Sequence, residues 1–202
     1  SIDGPAGRLE ALFERPSDGE PRGVAVVCHP HPVHGGTMQN KVTHTLARAF
    51  LGEGFAALRF NFRGVGGSEG EFDEGAGELE DAIAAARWAR DRQPDVPLWI
   101  AGFSFGAAIA VKAAAKVSAD GLVSVAPAIS RVAADGGRQP TCPWLVIQGE
   151  VDELVDTEET IAWINGLEPG PELEIFAGTG HFFHGKLVRL RETVESFISD
   201  HQ

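Results

Sequence analysis

Short apolar runs alternate with segments of helical period along the whole chain. Val24-Ala25-Val26-Val27-Cys28 precedes a helical pattern over 41–51, and Phe55-Ala56-Ala57-Leu58-Arg59-Phe60 precedes one over 78–91. Leu98-Trp99-Ile100-Ala101 leads into 107–117, Trp144-Leu145-Val146-Ile147 into 158–164, and the run 172–176 into 186–199. Leu122-Val123-Ser124-Val125 is followed by a loop instead. Strands that are apolar at successive positions bury both faces, so their alternation with helices predicts an α/β fold, a parallel sheet covered on both sides. Arg8-Leu9-Glu10-Ala11-Leu12-Phe13-Glu14 alternates polar with apolar, as a half-exposed antiparallel edge strand does.

Proline and glycine mark the joints, as at Pro94-Asp95-Val96-Pro97 and Glu168-Pro169-Gly170-Pro171, but no repeat or linker divides the chain. A single domain over 1–202 is expected. The stretch 126–143 between two strands is too short for a separate folded unit, which needs at least about 40 residues, so no lid domain is expected there.

A net charge of −12 without clustered Lys or Arg excludes a polyanion partner such as nucleic acid. The acidic run Glu69, Glu71, Asp73, Glu74, Glu78, Glu80, Asp81 reads as a solvated loop and the negative first turn of a helix. No apolar stretch reaches transmembrane length, and Ser1-Ile2-Asp3-Gly4 lacks the pattern of a secretory signal; a cytoplasmic protein, monomer or homodimer, with no membrane partner is the expectation. Cys28 and Cys142 are too few for a disulfide framework and lack metal-ligand spacing, and are read as buried free thiols.

The chemistry centres on Gly102-Phe103-Ser104-Phe105-Gly106, set between a strand-like and a helix-like run. Such a Gly-x-Ser-x-Gly segment makes a nucleophile elbow, a turn tight enough to require nearly absent side chains on either side of the serine. A serine nucleophile needs a base for its proton and a carboxylate to orient that base. In a doubly wound sheet both must come from loops at the carboxyl edge. Asp152 follows the run 144–148, and His181 follows the run 172–176, in the chain order nucleophile, acid, histidine. Glu150, Glu153 and Asp156 are rivals to Asp152, and His184 to His181.

The segment Cys28-His29-Pro30-His31-Pro32-Val33-His34-Gly35-Gly36 leaves a central strand where such folds place an oxyanion donor. Prolines have no N–H, so the donor falls to His31 or Val33, with His31 chosen; the partner donor is the N–H of Phe105, next after the serine. A competing reading makes His29, His31 and His34 ligands of a metal-dependent hydrolase, although no zinc signature matches their spacing and no carboxylate is interleaved. Arg63-Gly64-Val65-Gly66-Gly67-Ser68 lacks the Lys-Ser/Thr ending of a phosphate-binding loop and reads as a bend bordering the site.

Taken together, His29-Pro30-His31-Pro32, Gly35-Gly36-Thr37-Met38, Asn40-Lys41, the Ser104 pentapeptide and His181-Phe182-Phe183-His184-Gly185 resemble the small, cap-less bacterial α/β-hydrolases, distant relatives of dienelactone hydrolase. The resemblance spans nearly the whole chain and implies the α/β-hydrolase fold, a mostly parallel eight-stranded sheet, and serine-hydrolase activity toward small esters. Ser104 stands where dienelactone hydrolase has a cysteine, so that substrate does not transfer. The implied topology sets Cys28 and Cys142 at opposite sheet edges, beyond the roughly 7 Å Cα limit of a disulfide.

The expectation is therefore an esterase with a Ser104, His181, Asp152 triad, a small-molecule ester substrate and no cofactor or metal. Phe103, Phe182 and Phe183 are expected to wall the substrate pocket, favouring short acyl groups. A thioesterase or amidase on the same triad, and a non-catalytic binding module that keeps the fold, are the alternatives.

Overall fold

The computed structural model describes residues 1–133 and 139–202. Nine strands form among them: β1 (Ile2–Gly4), β2 (Gly7–Leu9), β3 (Ala11–Glu14), β4 (Val24–Cys28), β5 (Ala56–Phe60), β6 (Leu98–Phe103), β7 (Gly121–Val125), β8 (Trp144–Gly149) and β9 (Glu172–Phe176). The helices are α1 (Lys41–Gly52), α2 (Ala76–Arg92), α3 (Phe105–Val117), α4 (Ile129–Ala133), α5 (Thr157–Asn165) and α6 (Leu187–Asp200).

The main sheet runs β3-β5-β4-β6-β7-β8-β9, parallel except for β3, which pairs antiparallel with β5 at the edge. It has seven strands rather than the expected eight. The N-terminal polar-apolar run breaks at Glu10: β2 turns back on β1 as a separate antiparallel hairpin, and only β3 joins the sheet. Glu10 spends its polar groups on the neighbouring bend, its N–H donating to Ser68 Oγ and its carboxylate accepting from Asn61 and Gly67.

Successive strand residues enter different cores. Val24, Val26 and Cys28 of β4 pack on the α2 and α3 side, whereas Ala25 and Val27 pack on the α1 and α6 side. The same division holds for Leu98 and Ile100 against Trp99, Ala101 and Phe103 in β6. That two-sided burial explains why these strands read as unbroken apolar runs. The helices keep to the predicted places, capped where sequence allows: Asn40 accepts from the N–H groups of Val42 and Thr43, and Asp156 from that of Glu159.

Two readings change. Glu78 and Asp81, taken only as negative charge in the first turn of a helix, are fully buried and bonded: Glu78 accepts from the N–H groups of Asp73 and Gly75, and Asp81 holds the Arg63 guanidinium at 2.8 Å. That ion pair fastens the glycine-rich bend to α2; the hydrogen bond to Asp81 raises the Arg63 pKa and outweighs the opposing effect of burial, with the carboxylates of Asp81, Glu78 and Asp73 adding to the rise. Both cysteines are free, but only Cys28 is buried; Cys142 is half-buried.

The chain order reverses between β4 and β6, neighbours in the sheet, with Cys28 at the end of β4 in register with Gly102 near the end of β6. A crevice at the carboxyl ends of such strands is where α/β sheets bind ligands. In the connection between β7 and β8, α4 is a short helix rather than plain loop, and residues 134–138, where no lid domain was expected, lie outside the described residues. Among the described residues no helix is long and apolar enough to cross a membrane.

Candidate active site

Ser104 sits between β6 and α3 with φ 57° and ψ −117°, a conformation that costs a residue with a side chain on the order of 1–3 kcal/mol. Its surroundings hold it there. Its N–H donates to the Val125 carbonyl at 2.8 Å, and its own carbonyl accepts from Ala107, Ala108 and Ala128. A Cβ on Gly102 would overlap the Gly106 carbonyl, and one on Gly106 would overlap the carbonyls of Cys28 and His29. Both glycines are thus required by close backbone approach.

The structure brings Ser104, His181 and Asp152 together. His181 Nε2 lies 3.0 Å from Ser104 Oγ, and His181 Nδ1 lies 2.8 Å from Asp152 Oδ2 and 3.1 Å from Oδ1. In the tautomer these partners select, Nδ1–H donates to the carboxylate and Nε2 accepts the serine proton. His181 is 2% exposed and the Asp152 side chain is fully buried. Burial by itself raises the Asp152 pKa, but the donors around it (His181, then the N–H groups of Val155 and Leu154) prevail and hold it below the usual carboxylate value.

The rivals to Asp152 take other places. Glu150 accepts from the N–H of Gly178, Glu153 from the backbone N–H of His181, and Asp156 caps α5. The exposed His184 ring lies 6.0 Å from that of Phe182.

Among the described residues no acceptor takes the backbone N–H of Phe105 or of His31. Phe105 opens α3, and the His31 ring lies 4.9 Å from the Phe105 ring, so the two free donors belong to adjoining segments beside Ser104. A helix N-terminus adds its positive end to such a place.

The three histidines of the post-β4 loop do not form a ligand set. His29 has both ring nitrogens engaged: Nε2 accepts the Phe62 N–H at 3.0 Å, which leaves Nδ1–H to donate to the Pro30 carbonyl at 2.6 Å. Burial lowers its pKa to about 4. His31 stacks on His34, with ring centroids 4.4 Å apart, and its Nε2 faces an Arg131 nitrogen at 3.3 Å. Burial, His34 and Arg131 all lower the His31 pKa, overriding Glu74. Among the described residues no group of three or more His, Cys, Asp or Glu is arranged to hold a metal ion.

Of the expected pocket wall, Phe182 alone reaches solvent, at 43% exposure, beside the rings of His181 and Phe103. Phe103 is fully buried but backs the His181 ring at 5.0 Å. Phe183 is turned into the core against Phe176 and lines no open surface, a correction to its place in the wall. Its φ of 53° marks the turn that reverses these neighbouring phenylalanines.

Sequence reasoning missed Gln148. Fully buried at the end of β8, it donates from Nε2 to Asp152 Oδ2 at 3.1 Å, and it falls inside an apolar run where only its polarity could have flagged it.

A family model described as serine aminopeptidase, S33, matches residues 19–139. An uncharacterized protein of Rickettsia prowazekii (strain Madrid E), RP471, is 31% identical over 98% of this chain and 87% of its own length. Among solved structures, an alpha-beta serine hydrolase homologue from Coxiella burnetii is 44% identical with a TM-score of 0.92, covering 96% of this chain and 94% of that one. XC6422 from Xanthomonas campestris, described as an α/β serine hydrolase without lid, is 41% identical with a TM-score of 0.93, covering 98% and 92%.

Proposed function

The chain belongs to the serine aminopeptidase S33 family of α/β-hydrolases, and on that premise we propose that it is a carboxylic-ester hydrolase working through an acyl-enzyme. The observation that carries this reading is the continuous hydrogen-bonded line from Ser104 Oγ through the His181 ring to Asp152. Ser104 Oγ attacks the ester carbonyl carbon while His181 Nε2 takes the hydroxyl proton. The carbonyl electron pair moves onto oxygen, where the N–H groups of Phe105 and His31 receive it. Collapse of the tetrahedral adduct expels the alcohol, which takes the proton from His181; water then repeats the sequence on the acyl-serine and releases the acid. Asp152 keeps the imidazole in the productive tautomer and stabilises the imidazolium.

An ester is favoured over a peptide with a free amino terminus because the acids nearest the base are already occupied. Glu150, Asp152 and Glu153 accept N–H donors from the segment carrying His181, instead of facing a substrate ammonium. Short acyl groups are favoured because Phe182 is the one exposed aromatic of the expected wall.

The test is mass spectrometry after treatment with a fluorophosphonate. Wild type gains one adduct on Ser104, Ser104→Ala gains none, and chelators leave both the labelling and the hydrolysis of p-nitrophenyl acetate unchanged. Turnover that survives Ser104→Ala and disappears with chelator would overturn the proposal.

A further inference from the structure

We infer that Glu153 is a positioning residue for the base: its side-chain carboxylate holds the backbone of His181 while its neighbour Asp152 holds the ring. The inference rests on the esterase reading above and deepens it.

His181 stands in the connection between β9 and α6, a segment with no regular structure of its own before α6 begins. Yet its ring nitrogen must stay within hydrogen-bond reach of Ser104 Oγ, because a misplacement of about 1 Å can cost roughly 10²-fold in rate. The Asp152 contact restrains the ring but leaves the backbone free to swing about it. A second anchor supplies that restraint. The His181 N–H donates to Glu153 Oε2 at 3.0 Å, from the residue next to Asp152. One short stretch after β8 therefore grips the same histidine twice, by its ring and by its main chain.

Independent packing evidence points the same way. Gly180 has no side chain, and a Cβ there would come within 2.7 Å of Glu153 Oε2. The absence of a side chain at 180 is what lets the carboxylate reach the next N–H. The two segments are also tied by Gly178 N–H to Glu150 at 2.7 Å and by Val151 N–H to the Thr179 carbonyl at 3.1 Å. With Gly178 already anchored, the Glu153 bond acts on the part of the segment closest to the ring. The hydrogen bond from His181 lowers the Glu153 pKa, so it accepts as a carboxylate at neutral pH. Glu153 is solvent-exposed, which screens its charge and leaves geometry as its main contribution.

The test compares wild type, Glu153→Gln and Glu153→Ala for the rate constant of fluorophosphonate labelling and for kcat and KM on p-nitrophenyl acetate. Thermal unfolding checks that each variant is folded. Glu153→Ala is expected to label and turn over about 10- to 100-fold more slowly, with the loss in kcat and KM within about 2-fold. Glu153→Gln keeps an acceptor oxygen and is expected to recover to within about 3-fold of wild type. A folded Glu153→Ala at wild-type rate, a loss confined to KM, or a Gln variant as slow as the Ala variant overturns the inference while leaving the esterase reading intact. A wild type that is neither labelled nor active overturns both.

Discussion

Gly106 packs directly on the carbonyl oxygens of Cys28 and His29, so closely that a Cβ on Gly106 would overlap both. This contact sets the start of α3 against the loop after β4, and so sets the Phe105 N–H relative to the His31 N–H. Gly106→Ala must push those segments apart. The expected result is a folded protein whose kcat on p-nitrophenyl acetate falls by about 10²-fold or more, the scale of losing one oxyanion donor. Overpacking of this kind also costs about 1–3 kcal/mol of stability. Steady-state kinetics with urea unfolding checks both, and a variant with undiminished kcat would show that the contact does not govern the donors.

The His29 ring is fully buried with its neutral form hydrogen-bonded on both sides, and burial lowers its pKa from 6.5 to about 4. Between these two values the unfolded chain binds the proton and the folded one does not. Its contribution to stability is therefore fully present above about pH 6.5 and is lost as pH falls through that window, about 3 kcal/mol in all. In an NMR titration the His29 ring resonances should stay constant from pH 8 to pH 5. Urea unfolding of wild type should weaken over the same range, more steeply than that of His29→Gln. A His29 resonance that titrates near pH 6.5 would contradict the burial argument.

Phe182 is the exposed aromatic beside His181 and Phe103. Removing it takes away apolar contact for the bound ester while leaving the hydrogen bonds among Ser104, His181 and Asp152 in place, so Phe182→Ala should raise KM for p-nitrophenyl butyrate by about 5- to 30-fold, the equivalent of about 1–2 kcal/mol of lost burial. kcat should change little. In wild type, kcat/KM should be higher for acetyl and butyryl than for decanoyl esters; a decanoyl preference would show that the acyl site extends beyond this wall.

Much of the architecture was legible because two-sided burial leaves a one-dimensional trace. A strand such as β4 must be apolar at every position, and a helix such as α6 must repeat its apolar residues at Leu190, Val194, Phe197 and Ile198, so both appear without knowledge of what they touch. The Ser104 turn was visible for a related reason. A Cβ at 102 would meet the Gly106 carbonyl, a demand local in sequence, whereas the demand at 106 comes from the distant carbonyls of Cys28 and His29. The strand count was less visible, since the alternation over 8–14 is the same whether it forms one strand or two, and only the partners of Glu10 break it.

Local sequence thus determined the elements and the tight turn at Ser104, and set Ser104, Asp152 and His181 each just past a strand, because backbone strain and burial period act over a few residues. Tertiary structure alone decided which acid meets the His181 ring, that Glu153 takes the main-chain N–H instead, that Gln148 backs Asp152, and that Phe183 turns inward while Phe182 turns out. Those outcomes depend on how two loops pack across a sheet edge, where hydrogen bonds join residues nearly thirty positions apart. A carboxylate beside a strand end looks the same in sequence whatever donor it meets.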